Sequence, residues 1–156
     1  MTVELLIEYV VYAAIIFLGL IVLWLIKQKT KLPSHTELKR RLIQLLEDLR
    51  QFLKAEKKSE KNAYDFFKQM SKCIFATDKL VYTVTLMAEK ERDGNLDNIA
   101  RMLESVRNLL TPYKFKAKGK EDLSGLVYAV EKMESVIAAL DLILERDKDF
   151  RAKRVR

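Results

Sequence analysis

His35 and Cys73 are the only imidazole and the only thiol among 156 residues, so nucleophilic or metal chemistry would have to run through them or through carboxylates. His35 stands in Ser34-His35-Thr36-Glu37, the pattern of a helix cap, with no second group at catalytic spacing. A single Cys cannot close an intramolecular disulfide, and one Cys with one His cannot complete a structural zinc set. Cys73 falls beside an apolar stripe, where a thiol serves as a small hydrophobe. Asp93, Asn95, Asp97 and Glu104 match positions one, three, five and twelve of a calcium loop. The sixth position, which needs Gly for its sharp turn, is Asn98, and apolar periodicity already resumes at Leu96. Acids in that place suit a helix N-terminus, where they complement the dipole. Glu47-Asp48, Glu121-Asp122 and Glu131/Glu134 lie in charged helical stretches and read as solvated faces and i,i+4 partners. The four Gly residues are scattered, so no phosphate-cradling loop can be drawn. No enzyme, cofactor or metal site is expected.

Basic residues form the second chemical signal. The chain carries 29 Lys and Arg against 22 Asp and Glu, a formal charge of +7. Glu4 and Glu8 are the only charges before position 27, so residues 27–156 hold +9. Lys27, Lys29, Lys31, Lys39, Arg40 and Arg41 cluster where they could contact anionic headgroups, at about 1 kcal/mol per well-placed cation. Tyr113-Lys114-Phe115-Lys116-Ala117-Lys118-Gly119-Lys120 alternates rings with Lys. It can stack bases and neutralise phosphates, dip into a membrane interface, or fold its rings onto a core. The segment 152–156 forms a basic tail that also suits a helix C-terminus.

The elements that position these residues follow from the hydropathy pattern. Residues 9–26 are uncharged and almost wholly apolar, and Leu5, Leu6 and Ile7 extend them to a segment 5–26. A helix of that length runs about 33 Å, against a hydrocarbon core of about 30 Å. Tyr9 and Tyr12 near one end and Trp24 near the other are placed as interfacial anchors. A secretory leader would carry basic residues before the apolar run and small residues at a cleavage site. MTVELLIE holds two acids and no base, and the run ends in bulky Trp24, Leu25 and Ile26. A retained transmembrane helix is therefore expected. All the flanking cations lie on its C-terminal side, so the positive-inside rule puts residues 1–4 outside and the rest in the cytoplasm.

Residues 27–33 read as a basic linker closed by Pro33, and 34–151 as a cytoplasmic helical domain. Its first helix, to about 57, has Leu38, Leu42, Leu45, Leu49 and Phe52 at four-three spacing. A second, from about 60 to 92, repeats Ala63, Phe67, Met70, Ile74, Thr77, Val81, Val84 and Ala88, with Phe66, Cys73, Leu80 and Met87 beside them in a face wide enough for two neighbours. Its KLVYTVTLM stretch has strand character, but the period favours a helix. Asp93-Gly94-Asn95 reads as a turn. A third helix, about 96–110, carries Leu96, Ile99, Leu103, Val106 and Leu110. A loop over 113–120 precedes a fourth, about 121–151, with Leu123, Leu126, Val130, Met133, Ile137, Leu140 and Leu144. The expectation is an all-α protein: one transmembrane helix and an antiparallel bundle of about four helices, with coiled-coil-like seams.

Function follows by class. The first expectation is a non-enzymatic, single-pass membrane protein whose bundle binds a protein partner or another copy of itself. Leu38, Leu42, Leu45, Leu49 and Phe52 are the candidate partner-facing set, since that helix can complete the bundle or extend as a stalk. The alternative is an electrostatic module, binding anionic lipid or, less readily, nucleic acid through the juxtamembrane cations and Lys114, Lys116, Lys118 and Lys120.

Overall fold

The computed structural model describes residues 3–29, 31–57, 63–115 and 123–154, and every regular element among them is helical. The chain divides into two compact units, Met1–Leu32 and Pro33–Arg156. In the first, α1 (Val3–Lys29) is long and apolar enough over Ile7–Ile26 to cross a membrane. Every side chain of that stretch is exposed. Neither of the two polarities expected of a soluble helix, a core stripe and a wet face, is present.

The second unit is a helical bundle of α2 (His35–Lys57), α3 (Ala63–Glu91), α4 (Gly94–Leu110) and α5 (Ser124–Arg154). Each helix packs on two others: α3 on α2 and α4, and α5 on α4 and α2. The contacts give the directions. His35 at the start of α2 meets Asp147 near the end of α5, whereas Arg50 late in α2 pairs with Glu134. His35 also meets Glu91 at the end of α3, and Phe52 packs on Phe66 with ring centroids 5.0 Å apart. Successive helices therefore run in opposite senses, as short connections require.

α2 opens on Pro33-Ser34, where the Ser34 hydroxyl accepts from the Glu37 N–H at 3.2 Å. A capping box would turn the Glu37 carboxylate back to the Ser34 N–H; here it accepts from Arg40 and Arg41. Leu38, Leu42, Leu45, Leu46, Leu49 and Phe52 are all buried, which makes α2 a full member of the bundle. α3 stays helical through KLVYTVTLM, and within it the Thr83 and Thr85 hydroxyls donate to the carbonyls of Lys79 and Val81 at 2.8 and 2.9 Å. Buried Thr77 does the same to the Cys73 carbonyl at 2.8 Å, so its own hydroxyl is satisfied within the helix.

The core line of α3 differs from the expected one. Phe66, Met70, Cys73, Thr77, Leu80, Val84 and Met87 are buried, whereas Phe67 is exposed and Ile74 and Val81 are half-buried. In α5 the buried line is Leu126, Ala129, Met133, Val136, Leu140 and Ile143, with Val130, Ile137 and Leu144 at its edge. Both helices carry apolar residues in adjacent pairs, Cys73/Ile74 and Leu80/Val81 in α3, Val136/Ile137 and Ile143/Leu144 in α5, so the helical period fixes the buried stripe only to within one residue. In α4 every expected position, Leu96, Ile99, Leu103, Val106 and Leu110, is buried.

The expected turn at Asp93-Gly94-Asn95 begins one residue sooner. Arg92 takes a left-handed φ of 51°, and the Asp93 N–H returns to the Ala88 carbonyl at 3.2 Å, closing α3. Gly94 is already the first residue of α4. After α4, Thr111–Phe115 is a 3₁₀ turn where a loop was expected, and it buries Tyr113 against Gly125.

Candidate functional site

Two places gather the chemistry-bearing side chains. The first is the end of the bundle where α2 and α4 start and α3 and α5 finish. His35 lies there with Nε2 2.8 Å from Glu91 and Nδ1 2.9 Å from Asp147, each carboxylate on a different helix. A neutral imidazole can donate to only one of them; both bonds are donated together by the imidazolium alone. Beside it, Asp93 accepts from the Asn95 N–H at 2.9 Å and from Arg146 at 2.7 Å. Burial works against the Asp93 charge, yet the Arg146 and Asn95 bonds outweigh it and hold its carboxyl below the ordinary value. The same contact raises Arg146. All these groups are engaged with one another across helices, so the cluster is a clasp rather than an open catalytic pair.

The calcium-loop residues separate accordingly. Asp93 caps α4, Asp97 pairs with Arg101, and Glu104 pairs with Arg107, each on its own part of the surface. Cys73 is buried in α3, the position expected of a small hydrophobe.

The second place is the outer side of α3. A groove of about 360 Å³ separates α3 from α2, lined by Arg40, Arg41, Gln44, Leu45, Asp48, Ala76, Lys79, Leu80 and Thr83. Its cations are offset: Glu37 holds Arg40 and Arg41, and Asp48 accepts from Gln44 at 3.1 Å. The two Arg hydrogen bonds, Arg40 first, pull the Glu37 carboxyl down to about 2. Beyond the groove rises a row of rings. Tyr64 is 69% exposed, Phe75 71% and Tyr82 68%, with Phe67 half-open at one side. At 100° per residue Tyr64, Phe75 and Tyr82 fall within about 20° of each other, directly opposite the buried line. Among described bundle residues the other exposed large hydrophobics, Ile43, Tyr128, Leu142 and Phe150, are spread over α2 and α5. Lys68, Lys72 and Lys79 flank the row on the groove side, and Asp78, bonded to Arg107 at 3.3 Å, on the other.

The structure rearranges the sequence-derived candidates. Leu38, Leu42, Leu45, Leu49 and Phe52 face α3 and α5, so the partner-facing reading of this set is corrected: packing inside the chain consumes them. Of the lipid-contact candidates, Lys39 pairs with Asp141, and Arg40 and Arg41 with Glu37, while Lys31 and Lys114 are exposed. Lys27 and Lys29 belong to the end of α1; Lys116, Lys118 and Lys120 lie outside the described residues. The proposed anchors Tyr9, Tyr12 and Trp24 are exposed on α1. The α3 ring row was missed because attention to the apolar core stripe absorbed Phe67 and passed over Tyr64, Phe75 and Tyr82. Their common face, opposite that stripe, was the available signal.

Comparison of the chain with protein-family models, with curated proteins and with solved structures gives no match.

Proposed function

We propose that this is a non-enzymatic, single-pass membrane protein whose helical bundle is a protein-interaction module, with the outer face of α3 as its contact surface. The observation that carries the reading is the row of rings on α3, solvent-facing on a helix whose opposite side is fully packed. Aromatic side chains bury large areas with few rotatable bonds, which is why they anchor interfaces. Lys68, Lys72, Lys79 and Asp78 around them supply a charged rim. The anchor is α1: its exposed apolar surface over Ile7–Ile26 has the length of a bilayer core. Cations confined to its C-terminal side favour a cytoplasmic bundle.

The electrostatic alternative has less geometry behind it, because Lys39, Arg40 and Arg41 are held in ion pairs within the bundle. The test is in-cell cross-linking of the membrane-retained chain followed by mass spectrometry of linked peptides. Links concentrated on residues 64–82 support the module. Links confined to lipid or nucleic acid, and lost at high salt, would replace it with the electrostatic one.

A further inference from the structure

We propose that the partner of the α3 face is a second copy of this chain, docked with the two α3 helices antiparallel about a two-fold axis at position 73. The inference rests on the interaction-module reading and names its partner. Tyr64, Lys68, Ser71, Phe75, Asp78 and Tyr82 follow one another at alternating spacings of four and three along the outer line of α3, the spacing of a two-helix seam. An antiparallel seam centred at 73 sets Tyr64 opposite Tyr82, Lys68 opposite Asp78 and Ser71 opposite Phe75, and the symmetry makes each pairing twice.

Three features of the face support that register. Lys68 and Asp78 bear opposite charges and both are exposed; the Arg107 bond to Asp78 uses one carboxylate oxygen and leaves the other open. Ser71 is the small residue of the line, half-buried between the longer side chains of Lys68 and Phe75, so the side-chain profile is lowest there. Phe75, the most exposed ring of the row, is the knob that a dip of this kind receives. A parallel in-register pairing of the same line would set Lys68 against Lys68 and Asp78 against Asp78, which like-charge repulsion disfavours. The three rings of the line in each copy, about 70% exposed, would over both copies remove roughly 600–1,000 Å² from water, at the low end of specific interfaces.

Zero-length carbodiimide coupling of the full chain in phospholipid vesicles tests the register. Lys68 and Asp78 of one copy are ten residues apart on one helix, about 15 Å, too far for a bond without a spacer. A Lys68–Asp78 link between isotope-labelled and unlabelled copies is expected, alongside the intrachain Lys39–Asp141 link that reports the folded bundle. Lys68→Glu or Asp78→Lys alone should weaken self-association about tenfold, measured by energy transfer between labelled copies, and the double variant should restore it to within about twofold. Presence of the Lys39–Asp141 link without the intermolecular one, or failure of the double variant to recover, overturns the inference. If α3 then links in cells to a different protein, the interaction module stands and only the second copy falls. If α3 links to nothing, both fall.

Discussion

Arg146 donates to Asp93 Oδ2 at 2.7 Å while Asp93 Oδ1 accepts from the Asn95 N–H at 2.9 Å, so one carboxylate caps α4 and ties it to α5. Its position directly after the left-handed Arg92 makes it the joint at which α3 stops and α4 starts. Replacing Asp93 by Ala removes cap and ion pair together and should destabilise the chain by about 1–3 kcal/mol. Asp93→Asn keeps an acceptor for Asn95 and loses the charge, so about half that cost is expected. Denaturant unfolding of the detergent-solubilised protein checks both values; equal losses for Ala and Asn would mean that the cap contributes nothing.

The same carboxylate, with Glu37, fixes the sign of the acid response. Both have folded-state values below the ordinary 3.8 of Asp and 4.5 of Glu, Glu37 at about 2. As pH falls the unfolded chain takes up these protons first, so their stabilisation is complete above the ordinary values and is lost towards about pH 2. Stability measured from pH 6 to pH 2 should fall, and Glu37→Gln combined with Asp93→Asn should flatten the fall. An unchanged slope in the double variant would assign the acid response to other carboxylates.

His35 joins residues that lie 56 and 112 positions away, Glu91 and Asp147. His35→Ala removes the imidazole that lies between those two carboxylates and should cost about 1–3 kcal/mol. Asp147→Asn in the His35→Ala background should recover part of it by removing one charge. Hydrogen exchange would show the loss first in the ends of α2, α3 and α5 that His35 ties together. Uniform loosening across the bundle would argue that the contact is not local.

Gly125 is required by a neighbour rather than by its own backbone. A methyl group there would sit 2.7 Å from Tyr113 Oη and 3.0 Å from Tyr113 Cε2. The ring is 4% exposed and has no open side to swing towards. Ala is the better helix former by about 1 kcal/mol, yet the clash should win and make Gly125→Ala destabilising by about 1–3 kcal/mol. Tyr113→Phe removes the nearest atom, so the double variant should cost less than the sum of the singles. Additive losses would place the strain elsewhere.

Helix existence and order were legible in the sequence because apolar residues recur with the helical period, and in α4 one face meets the core so cleanly that all five expected positions are buried. In α3 and α5 apolar residues stand in adjacent pairs such as Leu80/Val81 and Val136/Ile137, so two neighbouring rows fit the period and the buried one is not the row expected. Cap chemistry was half-legible: Ser34 acts as expected, but Glu37 is diverted by two Arg residues on its own helix. The clasp at His35 had no local signature, since its partners come from α3 and α5. The 3₁₀ turn was hidden because alternating rings and Lys describe a loop equally well until Tyr113 finds its cavity. The ring row on α3 was present in the spacing and lost to the assumption that large apolar side chains belong to the core.

Leu42 and Phe75 separate the two surfaces that the hydropathy pattern had merged. Leu42 is wholly buried between α2 and its neighbours, whereas Phe75 is 71% exposed. Leu42→Ala opens a cavity in the bundle and should cost about 2–5 kcal/mol, lowering partner binding only through loss of fold. Phe75→Ala should change the stability of the isolated chain by no more than about 0.5 kcal/mol, because most of the ring is open to solvent. Its effect should instead fall on association, where an aromatic anchor at the centre of a contact is worth about 2 kcal/mol or more. Unfolding and self-association measured on both variants give opposite patterns if α3 is the contact surface. A Phe75→Ala chain that associates as wild type would remove that surface from consideration.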